Sequence, residues 1–338
     1  MAVMKDIAEK VGVSVSTVSF VLNGTAREHK VADATAKKVI KAARDLGYHR
    51  NNAIQGSCHL AKKETFIGIF YPACHCQSEL GIFTETIYEH LTSRNILCSL
   101  MILPYENGHL MEKISSSDWS TLDAALVVSA DATDLASLKK SRHAYPLVLF
   151  NASLPNYCSV MCFMTDAIKK LVEMIALKGY KEATIISSKN HPNINDAFFP
   201  TLLDACKNAG ITVDGEHIIS VDNTSYGGAI AARKILNLKE RPTLILSTNS
   251  TLALGSIPVF ARNEFYIPHH AELAAFALDG ELNYLQNHIP SLSVILFPLR
   301  QLAGMALEMA LSLSLDNQKE PAHYECQCEL VLNESFSI

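Results

Sequence analysis

No apolar run in this chain of 338 residues approaches the roughly 20 residues that a helix needs to span a bilayer, so no membrane association is expected. The opening stretch is polar and helical in pattern, without the hydrophobic run of a secretory signal, and a cytoplasmic protein is expected. Nine cysteines without such a signal read as reduced thiols, and an odd number argues against a disulfide framework. Internal repeats and low-complexity tracts are absent. No glycine-rich phosphate loop, nucleophile elbow or pair of carboxylates placed for acid–base work stands out. An enzyme is therefore not expected. Cys74-His75-Cys76, with Cys58-His59 upstream, has soft-ligand chemistry. Structural zinc sites want two separated ligand pairs, so neither a metal nor a cofactor is expected, and buried or cleft thiols are the plainer reading.

What is present is a globular composition, 49% apolar and 19% charged, able to bury a large core. At one domain per ~150 residues the chain should hold at least two units. Its net charge of −5 is segregated. Residues 1–63 hold eleven Lys/Arg against five Asp/Glu, a charge of +6; the rest holds eighteen against twenty-nine, a charge of −11. A basic first unit on an acidic body suits a nucleic-acid-binding head on a soluble domain.

The first twenty-odd residues are patterned as two short helices. Met4, Ile7, Ala8 and Val11 recur at the spacing of one apolar helix face. Gly12 follows, able to take the left-handed turn that ends a helix. Ser14 stands where an N-cap belongs, its hydroxyl able to accept a backbone N–H. In the second helix Val18, Val21 and Leu22 face inward, while Ser16, Thr17 and Phe20 lie on the opposite face. Two such helices joined by a tight turn make a helix-turn-helix, whose second helix is the size that enters a major groove. An ordinary helical hairpin has the same spacing. A third helix is predicted over 33–46, with Val39, Ala42, Ala43 and Leu46 inward and Lys37, Lys38, Lys41 and Arg44 outward; Gly47 ends it. Residues 49–64 are polar, contain Gly56 and read as a linker.

From Phe66 the pattern changes to short apolar runs at 66–72, 96–103, 124–130, 146–150, 183–188, 243–248, 273–278 and 293–297. Helical segments separate most of them, including 80–92, 166–177, 196–209, 225–236 and 300–313. Continuous apolar strands alternating with helices predict an α/β fold with parallel sheets buried on both faces. One sheet or two is left open by the spacing. Cys326 and Cys328 alternate with polar neighbours, as strand residues with one face inward.

The segment KDIAEKVGVSVSTVSFVLNG at 5–24, with AARDLGY at 42–48, resembles the headpiece of the lac-repressor (LacI/GalR) family, without a gap across 5–24. The resemblance implies a three-helix helix-turn-helix headpiece at 1–48, a hinge linker at 49–64 and a periplasmic-binding-protein-like core at 65–338. The core would be two Rossmann-like subdomains crossed three times by the chain, near 162–166, 289–293 and 321–325. The first subdomain is then 65–163 and 292–322, and the second 164–291 and 323–338. The implied protein is a homodimeric transcriptional regulator, most simply a repressor, that binds double-stranded operator DNA under control of a small-molecule effector. The alternative is a small-molecule-binding protein whose headpiece no longer functions.

By the same resemblance Ser14, Thr17, Ser19 and Asn23 match phosphate-contacting positions, and Val15, Ser16 and Phe20 base-reading ones. By helical angle alone Val15 equally lies near the core. His29, Tyr48 and Asn51 join the DNA-binding set, the last two on the DNA backbone. Phe20 departs from the family's usual arginine. Arginine grips guanine O6/N7, whereas phenylalanine can only press on a thymine methyl or pack on the headpiece. In the hinge, the family's proline is Arg50 and its minor-groove leucine is Ser57, with Leu60 one turn later as the substitute wedge.

Effector-binding candidates are Cys74, His75 and Gln77 after the first strand, with Asn151, Phe198, Asn249, Phe276 and Asp279 from later loops. Ligands in such folds sit at the carboxyl ends of strands between lobes. The family's polar anchors are thin here: its arginine falls on Phe198, and its aspartates fall on Ser250 and near Ala277. A more apolar cleft than a common sugar needs is the expectation.

Overall fold

The computed structural model describes residues 4–22, 31–45, 64–73, 77–116, 121–141, 143–189, 197–315 and 320–337. The chain divides into two compact units, 1–61 and 62–338.

The first unit contains α1 (Met4–Val11), α2 (Val15–Leu22) and α3 (Asp33–Asp45). Gly12 takes φ +74°, and its N–H and that of Val13 both return to the Ala8 carbonyl, at 2.9 and 3.1 Å. That left-handed residue satisfies the orphan carbonyls at the end of α1. Ser14 Oγ accepts from the Thr17 N–H at 3.1 Å, capping α2 as the sequence suggests. The interior is Ile7, Ala8, Val18, Val21, Val39, Ala42 and Ala43, all buried, with Val11, Val13, Val31 and Ala36 against them.

The second unit is built on two six-stranded sheets. In the first, the order is β11-β5-β4-β3-β1-β2, from β1 (Thr65–Pro72), β2 (Cys98–Tyr105), β3 (Ala124–Val128), β4 (Leu147–Phe150), β5 (Cys158–Phe163) and β11 (His323–Gln327). In the second it is β12-β10-β9-β8-β6-β7, from β6 (Thr184–Ser188), β7 (Ile218–Val221), β8 (Leu244–Ser247), β9 (Glu272–Leu278), β10 (Ser293–Phe297) and β12 (Glu329–Val331). Every pairing is parallel except β10 with β12. Helices α4 (Gln77–Ser93) and α12 (Leu299–Ser314) pack together on the first lobe, and α7 (Thr165–Leu177), α8 (Phe198–Asn208), α9 (Ser225–Leu236) and α10 (Ser250–Arg262) belong with the second. Three shorter helices are α5 (Leu110–Ser115), α6 (Ala132–Leu138) and α11 (Leu282–Gln286).

Sheet pairing corrects two expected crossings. β10 is in the second sheet, so the chain recrosses at Pro298 rather than at 289–293, and 292–297 do not belong to the first lobe. β11 pairs with β5 in the first sheet, so the last crossing is at Cys328 rather than 321–325, and 323–327 do not belong to the second lobe. In the first case a continuous apolar run, SVILF, suits either sheet; in the second, β11 is an edge strand of alternating polarity with no core signature. β5, β7 and α10 stood outside the predicted runs. β5 and β7 are short and broken by polar residues, as CSVMCF and IISV.

The 3-10 turn Asp279–Glu281, which follows β9, reaches the first lobe: a Cβ on Gly280 would lie 2.8 Å from the Ile82 side chain of α4.

Candidate functional site

The first unit offers a helix face. Helix α2 carries no charged residue in its end turns and buries Val18 and Val21. Val15 is 45% exposed, which places it on the surface and not in the core. Ser16 is exposed, and Thr17, Ser19 and Phe20 are half-buried. Ser14 Oγ also lies 2.8 Å from Thr17 Oγ1, so cap and first turn are tied to one another. Lys37, Lys38 and Lys41 are exposed on α3, as their spacing requires. Small hydroxyls at a helix start suit phosphate oxygens, and an exposed apolar edge suits base methyls. Asn23, His29, Tyr48, Asn51 and Leu60 lie outside the described residues, as do Ser57 and the rest of the hinge.

The second unit offers the space between lobes. Cys74 and His75 lie outside the described residues, and Gln77 begins α4. Asn151 ends β4 with φ +53°, and its N–H reaches the Val160 carbonyl at 2.8 Å. Ser129 ends β3 in the same way, with φ +47° and its N–H on Phe150 O at 2.8 Å. Left-handed non-glycine residues concentrate at functional sites because the surrounding structure must enforce them. The Ser129 hydroxyl is enclosed and has no hydrogen-bond partner among the described residues. Ser129 was not predicted, since nothing in its sequence neighbourhood marks it; its neighbour across the sheet does.

On the second lobe the polar side chains are engaged with the fold itself. Asn249 caps α10, accepting from Leu252 N–H at 2.9 Å, and donates to Asn223 Oδ1 at 2.8 Å. Both oxygens of Asp279 accept from the Arg300 backbone N–H, at 3.1 and 3.0 Å, which seats a carboxylate at the start of α12. Burial raises the Asp279 pKa, and these backbone N–H groups partly offset it. The Arg300 side chain turns instead to Glu85 at 3.0 Å and Glu89 at 3.5 Å on α4. Phe198 and Phe276 are buried, 2% and 1% exposed, with ring centroids 4.9 Å apart, and Phe276 lies 6.0 Å from Phe297. They form a cluster of tilted rings in the interior in place of an open wall, because Phe198 has no polar end to hold at the surface.

Two family models match this chain. Residues 3–51 match bacterial regulatory proteins, lacI family, and residues 172–336 match the periplasmic binding protein-like domain. The chain carries a lacI-family DNA-binding domain followed by a periplasmic-binding-protein-like domain. Among similar lacI-family proteins is the HTH-type transcriptional repressor PurR of Photobacterium profundum, 26% identical over 351 residues that span 99% of this chain and 98% of the relative. The fold is similar to that of a LacI family transcription regulator from Clostridium acetobutylicum, with a TM-score of 0.72 at 24% identity over 79% of this chain and 99% of that one. It is also similar to the lac repressor dimer bound to operator and the anti-inducer ONPF, with a TM-score of 0.63 at 18% identity over 99% of this chain and 98% of that one. Among the described residues no helix is long and apolar enough to cross a membrane.

Proposed function

We propose that this lacI-family chain is a cytoplasmic transcriptional repressor whose headpiece, 1–48, reads operator DNA through α2, with 49–64 as the hinge. Two copies pair as a homodimer, so that two headpieces meet two half-sites of a roughly palindromic operator. A small molecule in the cleft between the lobes alters the lobe angle and, through it, the affinity for DNA; by linkage, DNA alters effector affinity by the same factor. Ser129, Asn151 and the segment around Gln77 form the first-lobe side of that site, and the Phe198–Phe276 pair underlies the second. The observation that carries the DNA reading is the capped, charge-free α2 with Val15 and Ser16 exposed, within a stretch, residues 1–63, of charge +6.

The test is selection from random duplexes with the full-length chain, followed by binding at rising salt. Phosphate neutralisation makes the expected salt response steep. Phe20→Arg should shift the preferred base at one position of each half-site from thymine to guanine, a discrimination of about 1–3 kcal/mol. A chain that enriches no duplex has a headpiece that no longer reads DNA; an unchanged site in Phe20→Arg removes Phe20 from the reading set alone.

A further inference from the structure

Of the six described cysteines, three meet where the chain passes between the lobes. Cys162 is the last residue but one of β5, and two residues separate it from α7 of the second lobe. Cys328 is the single residue between β11 in the first sheet and β12 in the second. Cys326 stands opposite Cys162 in the β5–β11 register. The Sγ atoms of Cys162 and Cys328 are 3.6 Å apart, and the Cys328 N–H donates to the Phe163 carbonyl at 2.9 Å. Cys162 and Cys328 are buried, 5% and 7% exposed, and Cys326 is half-buried on the edge strand.

Two thiols already in contact need little movement to bond, since a disulfide holds its sulfurs at about 2.05 Å. Lobe closure is absorbed by a few residues at the ends of elements, and Cys162 and Cys328 are such residues at the first and third crossings. The hydrogen bond with Cys162 and burial raise the Cys326 pKa. Cys326 lowers that of Cys162 through a hydrogen bond, but the hydrogen bond with Cys328 and burial outweigh it and push Cys162 up. Thiolate is the attacking form, so a pair that includes Cys162 oxidises slowly. A thiol of high pKa is also a poor leaving group, so its disulfide is slow to be reduced. That is the chemistry of a latch set by sustained oxidation, and not of a fast sensor. Disulfides in reducing compartments are of this transient, responsive kind.

We propose that Cys162 and Cys328 are a redox modification site, closed by peroxide to a disulfide that fixes the lobe angle. One sulfur, as thiolate, attacks a peroxide oxygen. The O–O bond breaks, leaving a sulfenic acid and a hydroxide that takes up the thiol's proton as water. The second sulfur attacks the sulfenic sulfur, the S–O bond breaks, and hydroxide leaves with the second thiol's proton as another water. Two thiols are oxidised and one peroxide is reduced to two waters. The bond ties the first crossing to the third, so only the crossing at Pro298 still turns freely. That the latch alters DNA affinity rests on the repressor reading above; the latch itself does not.

The experiment treats the reduced full-length chain with hydrogen peroxide and maps disulfides by mass spectrometry of a non-reducing digest. A Cys162–Cys328 link is expected, removed by dithiothreitol and still formed in Cys326→Ser. Amide exchange at 161–166 and 326–331 should slow at least about fivefold in the oxidised chain, and not in oxidised Cys328→Ala. For a duplex enriched from a random pool, affinity should shift at least about fivefold on oxidation, return on reduction and stay unchanged in Cys328→Ala. The proposal is overturned if Cys162 and Cys328 remain free thiols, if Cys162 is found joined to Cys326, or if Cys328→Ala responds to peroxide as the parent does. A link that leaves the affinity for an enriched duplex unchanged overturns its regulatory role. Failure to enrich any duplex overturns the repressor reading instead, and mapping and exchange then decide the latch.

Discussion

In the headpiece, seven buried side chains from three helices make the interior among the described residues, and none is polar. In the core, the interior runs through two six-stranded sheets and takes in Glu79, Asp134, Thr184, Ser247 and Ser293 as well. The difference follows from size. A unit of some sixty residues has little apolar area to lose, and a buried polar group there has few neighbours to pair with. On the proposed reading it carries its function on the outside of one helix. The core can enclose carboxylates and hydroxyls because backbone N–H groups are at hand, as where Asp134 accepts from Gly108 at 3.1 Å and Leu110 at 3.0 Å. Its function then depends on how those groups are placed inside.

The largest effect is expected inside the core, at the α9–α10 crossing, where it relies on backbone approach. A Cβ at Gly255 would lie 2.1 Å from the Ser225 carbonyl oxygen, and one at Gly228 2.2 Å from that of Leu252. Neither neighbour is a flexible side-chain end, so Gly255→Ala must push two helices apart. The expected loss is about 3–4 kcal/mol, read as a lowered urea midpoint of the core transition. A midpoint within error of the parent would show that the helices part without cost.

The headpiece breaks at a smaller perturbation. Val18 is wholly buried between the three helices. Val18→Ala removes two methyl groups from that interior, a loss of about 2 kcal/mol. In a unit this small that is a large fraction of its stability. DNA binding should fall at least about tenfold, while the calorimetric transition of the core stays where it was. If both transitions move together, the two units are not thermodynamically separate and the comparison fails.

The same contrast governs what could be read before any coordinates. In the headpiece, a face of period 3.6 fixes which side chains point inward, so Ile7, Val18, Val21, Val39, Ala42 and Ala43 were all legible, with Gly12 and Ser14 as turn and cap. Strands β1, β3, β4, β6, β8, β9 and β10 were legible as apolar runs. β11 was legible only as the alternation around Cys326, and which sheet such an edge strand joins is not written in that pattern, so the last crossing was misplaced. The cleft was least legible. The groups proposed for it come from strand ends some 150 residues apart in sequence, as with Ser129 and Asp279, and what a side chain does there is set by the backbone it meets. Asp279 could be picked out as a carboxylate near the expected position. That it would seat on the N–H of Arg300 was written in no local pattern. The close approach at Gly228 and Gly255 likewise needs both helices to be seen at once.

The smallest expected effect tests the claim that the core places charge by burying it. Burial raises the Glu281 pKa above that of an ordinary glutamate, although the Leu278 N–H and the Ser250 hydroxyl both lower it. Those two groups donate to one oxygen, Oε2, at 3.0 and 2.8 Å. An amide oxygen in that position accepts both, so Glu281→Gln keeps the hydrogen bonds and removes the desolvated charge. With a folded pKa above the unfolded one, the stability this group supplies is complete below the reference value of 4.5 and is lost as pH rises through the raised folded value. The substitution should therefore stabilise the core at pH 7 by roughly 0.5 kcal/mol, and the gap should close as the medium is acidified through the glutamate range. Urea midpoints of the two proteins across that range decide it. A substituted chain that is less stable at neutral pH, or a gap that widens in acid, would mean that the Glu281 charge is held by attraction rather than tolerated by placement, and the core would then resemble the headpiece in keeping no uncompensated charge inside.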